Sequence, residues 1–342
     1  MISFGKKVKW GMIALCLVIC SCEELILPSD PPSHPKEIFD QLWEDLQFRY
    51  AFFGHKNINW FEIREKYSPQ ITSDLDDMKL FEIMGNMLFE LKDGHVNLES
   101  TFGRSKNWEW FDIHPMDYNE SNIYFNYLTV DHWLSGPLRH KVIDSVLYVN
   151  YRSFTSDITD PDMDAILNRG KGLRGMILDI RNNAGGNLKN AYKLASGFTG
   201  TQVTYAHQRM KNGPGINEFT AWRPMVVNPR KKGFFNGNVV VLTNRRAYSA
   251  STFFAQMMRV LPNVVLMGNK TGGGGGTPAF GELPNGWIYR FSATQTIDLD
   301  GNQLEDGVPA DIQVRLRRSD EIKGKDTLID EALLYLSANF EF

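Results

Sequence analysis

Gly175-Met176-Ile177-Leu178-Asp179-Ile180-Arg181-Asn182-Asn183-Ala184-Gly185-Gly186-Asn187 decides the fold. Its apolar half shows no polar alternation, so a strand built from it is covered on both faces, as in a parallel sheet. Its polar half ends in two glycines, where backbone can come close to a ligand and aim N–H groups at it. The same alternation continues outward. Leu188 to Phe198 reads as a helix, Val239 to Leu242 as a second buried strand, Ser249 to Leu261 as a helix and Val264 to Met267 as a third strand. Upstream, Val146 to Tyr151 reads as a strand and Asp160 to Asn168 as a helix. Strand–helix alternation predicts an α/β core with parallel strands and flanking helices. The tail adds strands at Trp287–Phe291 and Ile312–Leu316 and a helix over Leu328–Leu336.

Residues 36–94 read as an N-terminal helical subdomain. Ile38, Phe39, Leu42, Leu46 and Phe48 recur at helical spacing, and Trp60-Phe61-Glu62-Ile63 opens a second helix. The clearest helix runs from Asp76 to Leu91, with Leu80, Ile83, Met84, Met87, Leu88 and Leu91 on one face. Residues 100–143 carry only weak strand signals.

A chain of 342 residues that is 12% aromatic can bury a large core, which excludes a disordered chain. Its first residues differ from the rest. Lys6, Lys7 and Lys9 precede the short apolar stretch Trp10–Ile19, the pattern of a signal peptide rather than of a bilayer span. All three cysteines, Cys16, Cys20 and Cys22, lie here. Ile19-Cys20-Ser21-Cys22 resembles a bacterial lipoprotein box with Cys22 as the lipidation site; bulky Ile19 makes Cys20 the poorer candidate. A plain secretory signal is the competing reading. The expected division is a signal peptide over 1–21, a proline-rich tether over 22–35, the helical subdomain over 36–94 and the core over 95–342. Glu23 and Glu24 resemble the surface-export signals of some Bacteroidetes lipoproteins, so the expected location is an outer membrane lipoprotein, periplasmic or surface-facing. Removing residues 1–21 takes away three lysines and no acid, which moves the net charge from −3 to −6. That balance gives no footing for nucleic acid, whose backbone needs clustered Lys and Arg.

Chemistry can reside in three segments. Tyr248-Ser249-Ala250-Ser251-Thr252 opens a helix after a strand, so Ser249 is either a helix cap or a nucleophile beside the Ala250 N–H. The Gly185-Gly186 pair could supply a second N–H. Asp93-Gly94-His95 ends a helix and offers a histidine, the side chain suited to general base work near neutrality. The remaining histidines lack metal-ligand spacing, and no cysteine pair occurs outside the leader, so neither a metal nor a cofactor is expected. Asp179 reads as a structural acid that holds the glycine loop.

Taken together, these elements resemble the tail-specific (carboxy-terminal processing) and tricorn-type serine peptidase family. The family's strand–Asp–Arg–Asn–Gly–Gly element matches Asp179 to Gly186. Its Ser-Ala-Ser element matches Ser249-Ala250-Ser251, and a Gly-x-x-Thr loop follows at Gly268–Thr271. The resemblance implies a crotonase/ClpP-like core with Ser249 as nucleophile. Tail-specific members pair the serine with a lysine whose position falls here on Gly274, within the run Gly272–Gly276; Lys270 is the only lysine nearby. Tricorn-like members use a histidine, which matches His95, and a C-terminal glutamate, which matches Glu305 ahead of Gly307-Val308-Pro309-Ala310-Asp311. Gly94 stands where some members carry a serine. Glu305, directly or through another group, and Asp93 are the rival orienters of His95. The oxyanion hole would be Ala250 with Gly185 or Gly186. The glycine run would form a mobile wall of the cleft. The stretch between Leu98 and Val146 is too short for the PDZ domain that tail-specific members carry.

Two functions follow. One is a serine endopeptidase or oligopeptidase acting through an acyl-enzyme on a peptide or unfolded protein. The other is a catalytically silent binding protein on the same fold, taking a peptide or an apolar ligand.

Overall fold

The computed structural model describes residues 34–106 and 112–339. The leader, Cys22 and the tether up to residue 33 lie outside the described residues. Strands follow in chain order as β1 (Asn97–Glu99), β2 (Arg104–Lys106), β3 (Trp133–Ser135), β4 (Leu138–Ile143), β5 (Val146–Asn150), β6 (Gly175–Asp179) and β7 (Val203–Met210). They continue as β8 (Arg223–Val227), β9 (Val239–Thr243), β10 (Val264–Gly268), β11 (Pro278–Glu282), β12 (Ile288–Ser292), β13 (Thr294–Ile297) and β14 (Ile312–Gln313).

The central sheet has seven strands in the order β14-β10-β9-β6-β5-β4-β3. From β14 through β5 the pairing is parallel, and β4 and β3 add antiparallel strands at one edge. Alternation along each strand divides the apolar run between two cores. Leu147, Val149, Met176, Leu178, Val239 and Val241 face one core, while Val146, Tyr148, Ile177, Val240 and Leu242 face the other. Helices α4 (Asp160–Gly170), α5 (Leu188–Ala195) and α6 (Ala250–Arg259) cover the first face, and α7 (Thr327–Ala338) covers the second. Two-sided cover is why these strands carry no polar alternation.

The N-terminal helices are α1 (Pro35–Arg49), α2 (Trp60–Tyr67) and α3 (Asp77–Phe89). Pro35, assigned by sequence to the tether, is instead the first residue of α1, where its missing N–H costs nothing. Phe48 is 51% exposed, and Trp43 takes the core position instead. Asp76 caps α3 by accepting from the Lys79 N–H. These helices share a core with Leu98, Tyr289 and Phe291 of a four-stranded sheet ordered β11-β12-β1-β2, and with Leu283 and Trp287 of the turn that joins β11 to β12. A three-stranded sheet ordered β13-β7-β8 is the third sheet among the described residues. The strand expected over Ile312–Leu316 is shorter, ending at Gln313: the ladder with β10 pairs Ile312 with Met267 and Gln313 with Gly268, and β10 itself ends at Gly268.

Candidate active site

The carboxyl ends of β6 and β9 meet at the glycine loop and the turn before α6, where open α/β sheets place their sites. A buried ion network fixes the loop. Arg181 is wholly buried and holds Asp179 at 2.9 and 2.7 Å, with Tyr148 Oη donating to the same carboxylate. Its other guanidinium nitrogen reaches Asp326, whose carboxylate also caps α7. Asp179 is therefore occupied in holding this loop. Asn183 stitches the loop to the turn before α6: its carbonyl oxygen accepts from the Tyr248 N–H and from Ser251 Oγ.

Ser249 occupies the N-cap of α6 with φ 57° and ψ −118°, and its side chain caps no helical N–H. This backbone region is one that glycine adopts freely and other residues enter at a cost. The consequence is that Oγ turns away from the helix. It meets His95 Nε2 at 2.8 Å, across 154 residues of sequence. His95 sits in the turn between α3 and β1, its backbone N–H held by Asp93 Oδ1 at 2.8 Å and its ring 5.0 Å from that of Tyr248. It is 2% exposed. Burial holds the imidazole down at about 4; Asp93 opposes that shift, while Arg290, Lys106 and Lys56 add to it. The ring is thus neutral at physiological pH, the form a general base needs.

The two other predicted carboxylates have distinct places. Glu305 makes no hydrogen bond to His95 among the described residues: one oxygen pairs with Lys56 Nζ at 2.8 Å and the other accepts the Gly275 N–H at 3.1 Å. Burial, then the charge of Asp93, pushes its carboxyl up to about 7 against the pull of Lys56. Burial also pushes Asp93 up, but the charges of Lys56 and His95, the His95 N–H and the Ser292 hydroxyl bring it net below its ordinary value. The His95 ring has a different neighbour at Nδ1: Ser292 Oγ, at 3.4 Å. Sequence reading missed both Ser292 and Lys56. Neither lies in a motif, and both are brought in by tertiary packing.

The glycines act by closeness. A Cβ on Gly185 would lie 2.8 Å from Ser249 Cβ and 2.6 Å from the Tyr248 carbonyl oxygen, at φ +94°. The Gly185 N–H is taken by Asn183 Oδ1 at 3.0 Å. The N–H groups of Ala250 and Gly186 have no acceptor among the described residues. At Gly274 a Cβ would strike the Tyr248 ring at 2.5 Å, so the lysine position of the tail-specific pattern holds an aromatic face instead. Lys270 lines a cavity of about 880 Å³ with Lys56 and Glu305, a cavity that neither Ser249 nor His95 lines. Gly272–Gly276, expected as a mobile wall, is a buried strap: Gly272 and Gly275 donate to Ala247 and Glu305, and Gly273 accepts from Ser249. Lacking side chains, its backbone packs directly on its neighbours.

Comparison with known proteins places these elements in a family context. Peptidase family S41 matches residues 145–314, and the Tricorn protease C1 domain matches residues 31–89. The crystal structure of a proposed peptidase from Parabacteroides merdae ATCC 43184 is 36% identical, with a TM-score of 0.84 over 89% of this chain and 97% of that one. A CtpA-like serine protease assigned in Staphylococcus aureus (strain COL) is 24% identical over 179 residues, 52% of this chain; the chain spans 35% of that relative's length. Mature CPAF, at 11% identity, shares the fold with a TM-score of 0.68 over 90% of this chain and 98% of that one.

Proposed function

The chain belongs to peptidase family S41, and on that premise we propose that it hydrolyses peptide bonds in a peptide or unfolded protein through an acyl-enzyme on Ser249. The observation that carries the reading is the 2.8 Å contact between His95 Nε2 and Ser249 Oγ, made by a neutral histidine to a serine turned away from its own helix. Ser249 Oγ attacks the scissile carbonyl carbon while His95 Nε2 takes its proton. The carbonyl oxygen, now an oxyanion, lies between the N–H groups of Ala250 and Gly186; losing one such donor typically costs about 10²–10³ in rate. As the tetrahedral intermediate collapses, the C–N bond breaks and His95 returns the proton to the leaving amine. Water then attacks the ester carbonyl carbon as His95 takes its proton; the C–Oγ bond breaks, His95 returns that proton to Ser249 Oγ, and the acid product leaves. Glu305 and Lys56 act from behind Asp93 as positioning residues, setting the charge around the histidine.

We further propose that Cys22 carries the lipid that holds the enzyme to the outer membrane, facing the periplasm or the cell surface. Metabolic labelling with a fatty acid, lost in Cys22→Ser, tests this; labelling that survives the substitution contradicts it. The test of the activity is hydrolysis of an unstructured peptide library by wild type, Ser249→Ala and His95→Ala, each checked for folding. Cleavage by wild type that both variants lose supports the proposal. A folded wild type that cleaves nothing contradicts it and points to a binding role.

A further inference from the structure

We propose that Ser292 is the positioning residue that fixes the tautomer of His95, accepting a hydrogen bond from Nδ1 and passing one on to Asp93. The proposal rests on the Ser249–His95 reading above. Strand register brings Ser292 to its place. In the antiparallel pair of β1 and β12, Asn97 lies opposite Arg290, Leu98 opposite Tyr289 and Glu99 opposite Ile288. Continuing that ladder by two residues sets His95 opposite Ser292, and the two-residue period turns both side chains to one face. Ser292 is fully buried there, with Oγ 3.4 Å from Nδ1.

Hydrogen-bond accounting carries the argument further. For Nε2 to accept the Ser249 proton, the resting imidazole must carry its own proton on Nδ1. Ser292 Oγ is the acceptor beside that nitrogen. Its own proton then needs an acceptor within the protein, because Ser292 is buried. Asp93 Oδ1 is taken by the His95 backbone N–H, while buried Oδ2 has no partner at ordinary hydrogen-bond geometry. Buried polar atoms are rarely left so, and the Ser292 hydroxyl is the donor that completes it. The buried Tyr50 hydroxyl, likewise without a partner at ordinary hydrogen-bond geometry, lies near the same carboxylate. Glu305 is not placed for this role: it bonds Lys56 and the Gly275 N–H, and among the described residues it makes no hydrogen bond to His95 or Ser292. The order Ser249–His95–Ser292–Asp93 thus supplies from β12 what Gly94, directly before the histidine, cannot.

Two isosteric variants isolate the hydroxyl: Ser292→Thr keeps it and Ser292→Val replaces it with a methyl group of the same shape. Nitrogen-15 NMR of the His95 ring in the purified protein reads the tautomer without any substrate. Wild type and Ser292→Thr should show a protonated Nδ1 and a bare Nε2; Ser292→Val should show a mixture. Turnover of a cleaved peptide should fall at least about tenfold in Ser292→Val, short of the roughly 10⁴-fold loss that a wrong tautomer causes in the serine–histidine–aspartate template. KM should stay within about twofold, as for an interaction made only in the transition state. A Ser292→Val protein with wild-type tautomer and wild-type kcat overturns the proposal and leaves the Ser249–His95 reading standing. A wild type whose Nδ1 is bare overturns it as well. A wild type with no Ser249-dependent cleavage overturns the underlying reading, while the ring spectra still decide the tautomer.

Discussion

Replacing Ser249 with glycine should make the protein more stable than replacing it with alanine, the reverse of the usual order within folded structure. Both variants lose Oγ and its 2.8 Å contact with His95, so that loss cancels in the comparison. What differs is the backbone. At φ 57° and ψ −118° an L side chain is strained, by about 1–3 kcal/mol for such sparsely populated regions. Glycine relieves the strain, but it adds freedom to the unfolded chain worth about 0.4–1 kcal/mol. The balance favours Ser249→Gly over Ser249→Ala by about 0.5–2 kcal/mol. Equilibrium urea unfolding of the two variants, compared at equal m, reads the difference as a shift in midpoint. An alanine variant as stable as the glycine variant, or more so, would refute the claim that the fold stores strain at the nucleophile.

Other expectations follow from the same geometry. Gly274→Lys, which restores the lysine of the tail-specific pattern, should not create a serine–lysine pair: its Cβ meets the Tyr248 ring at 2.5 Å from a φ of +75°. Melting temperature and peptide turnover should both fall, by about 1–3 kcal/mol in stability; a gain in turnover contradicts the account. Lys56→Met leaves Glu305 without its cation; because that carboxyl already sits at about 7 and then rises further, it takes up a proton, so the loss of stability in urea unfolding should be largest above pH 7. The acid limb of kcat/KM should lie nearer pH 4 than 6.5, because burial keeps His95 neutral down to about 4. For the same reason the stability that His95 contributes is full above its unfolded pKa of 6.5 and declines as pH falls toward 4. Glu305 works the other way: its contribution is present below its ordinary value and is lost as pH rises through about 7. A rate profile therefore isolates His95 better than a stability profile, and a limb at the ordinary histidine value would show that the ring is not desolvated.

The parallel strands could be read from the sequence because two-sided burial leaves an unmistakable mark: Val146–Asn150, Gly175–Asp179 and Val239–Thr243 are buried at every position. Strands β7 and β11 escaped notice because their burial is partial and their residues mixed, as in Gln208-Arg209-Met210, so no alternation rises above the loops around them. At the site, Ser249 and the glycine loop were legible because each follows a strand whose end the sequence marks. His95 was legible through its motif, although its meeting with Ser249 is a tertiary event. Ser292 was not: it comes to His95 only through the register of β1 on β12, across 197 residues. Lys56 was hidden likewise, since a lysine in a polar turn carries no sign that Glu305 will fold over it. The glycine run misled because flexibility in isolation becomes close packing once the backbone is buried.

The central claim is that Ser249 is a nucleophile activated by His95. The most direct measurement is reaction of the folded protein with a fluorophosphonate, followed by peptide mass mapping of the adduct. The account predicts one phosphonylated residue, Ser249, with labelling lost in His95→Ala as well as in Ser249→Ala. An adduct elsewhere, or labelling of Ser249 that persists at the wild-type rate without His95, would contradict it.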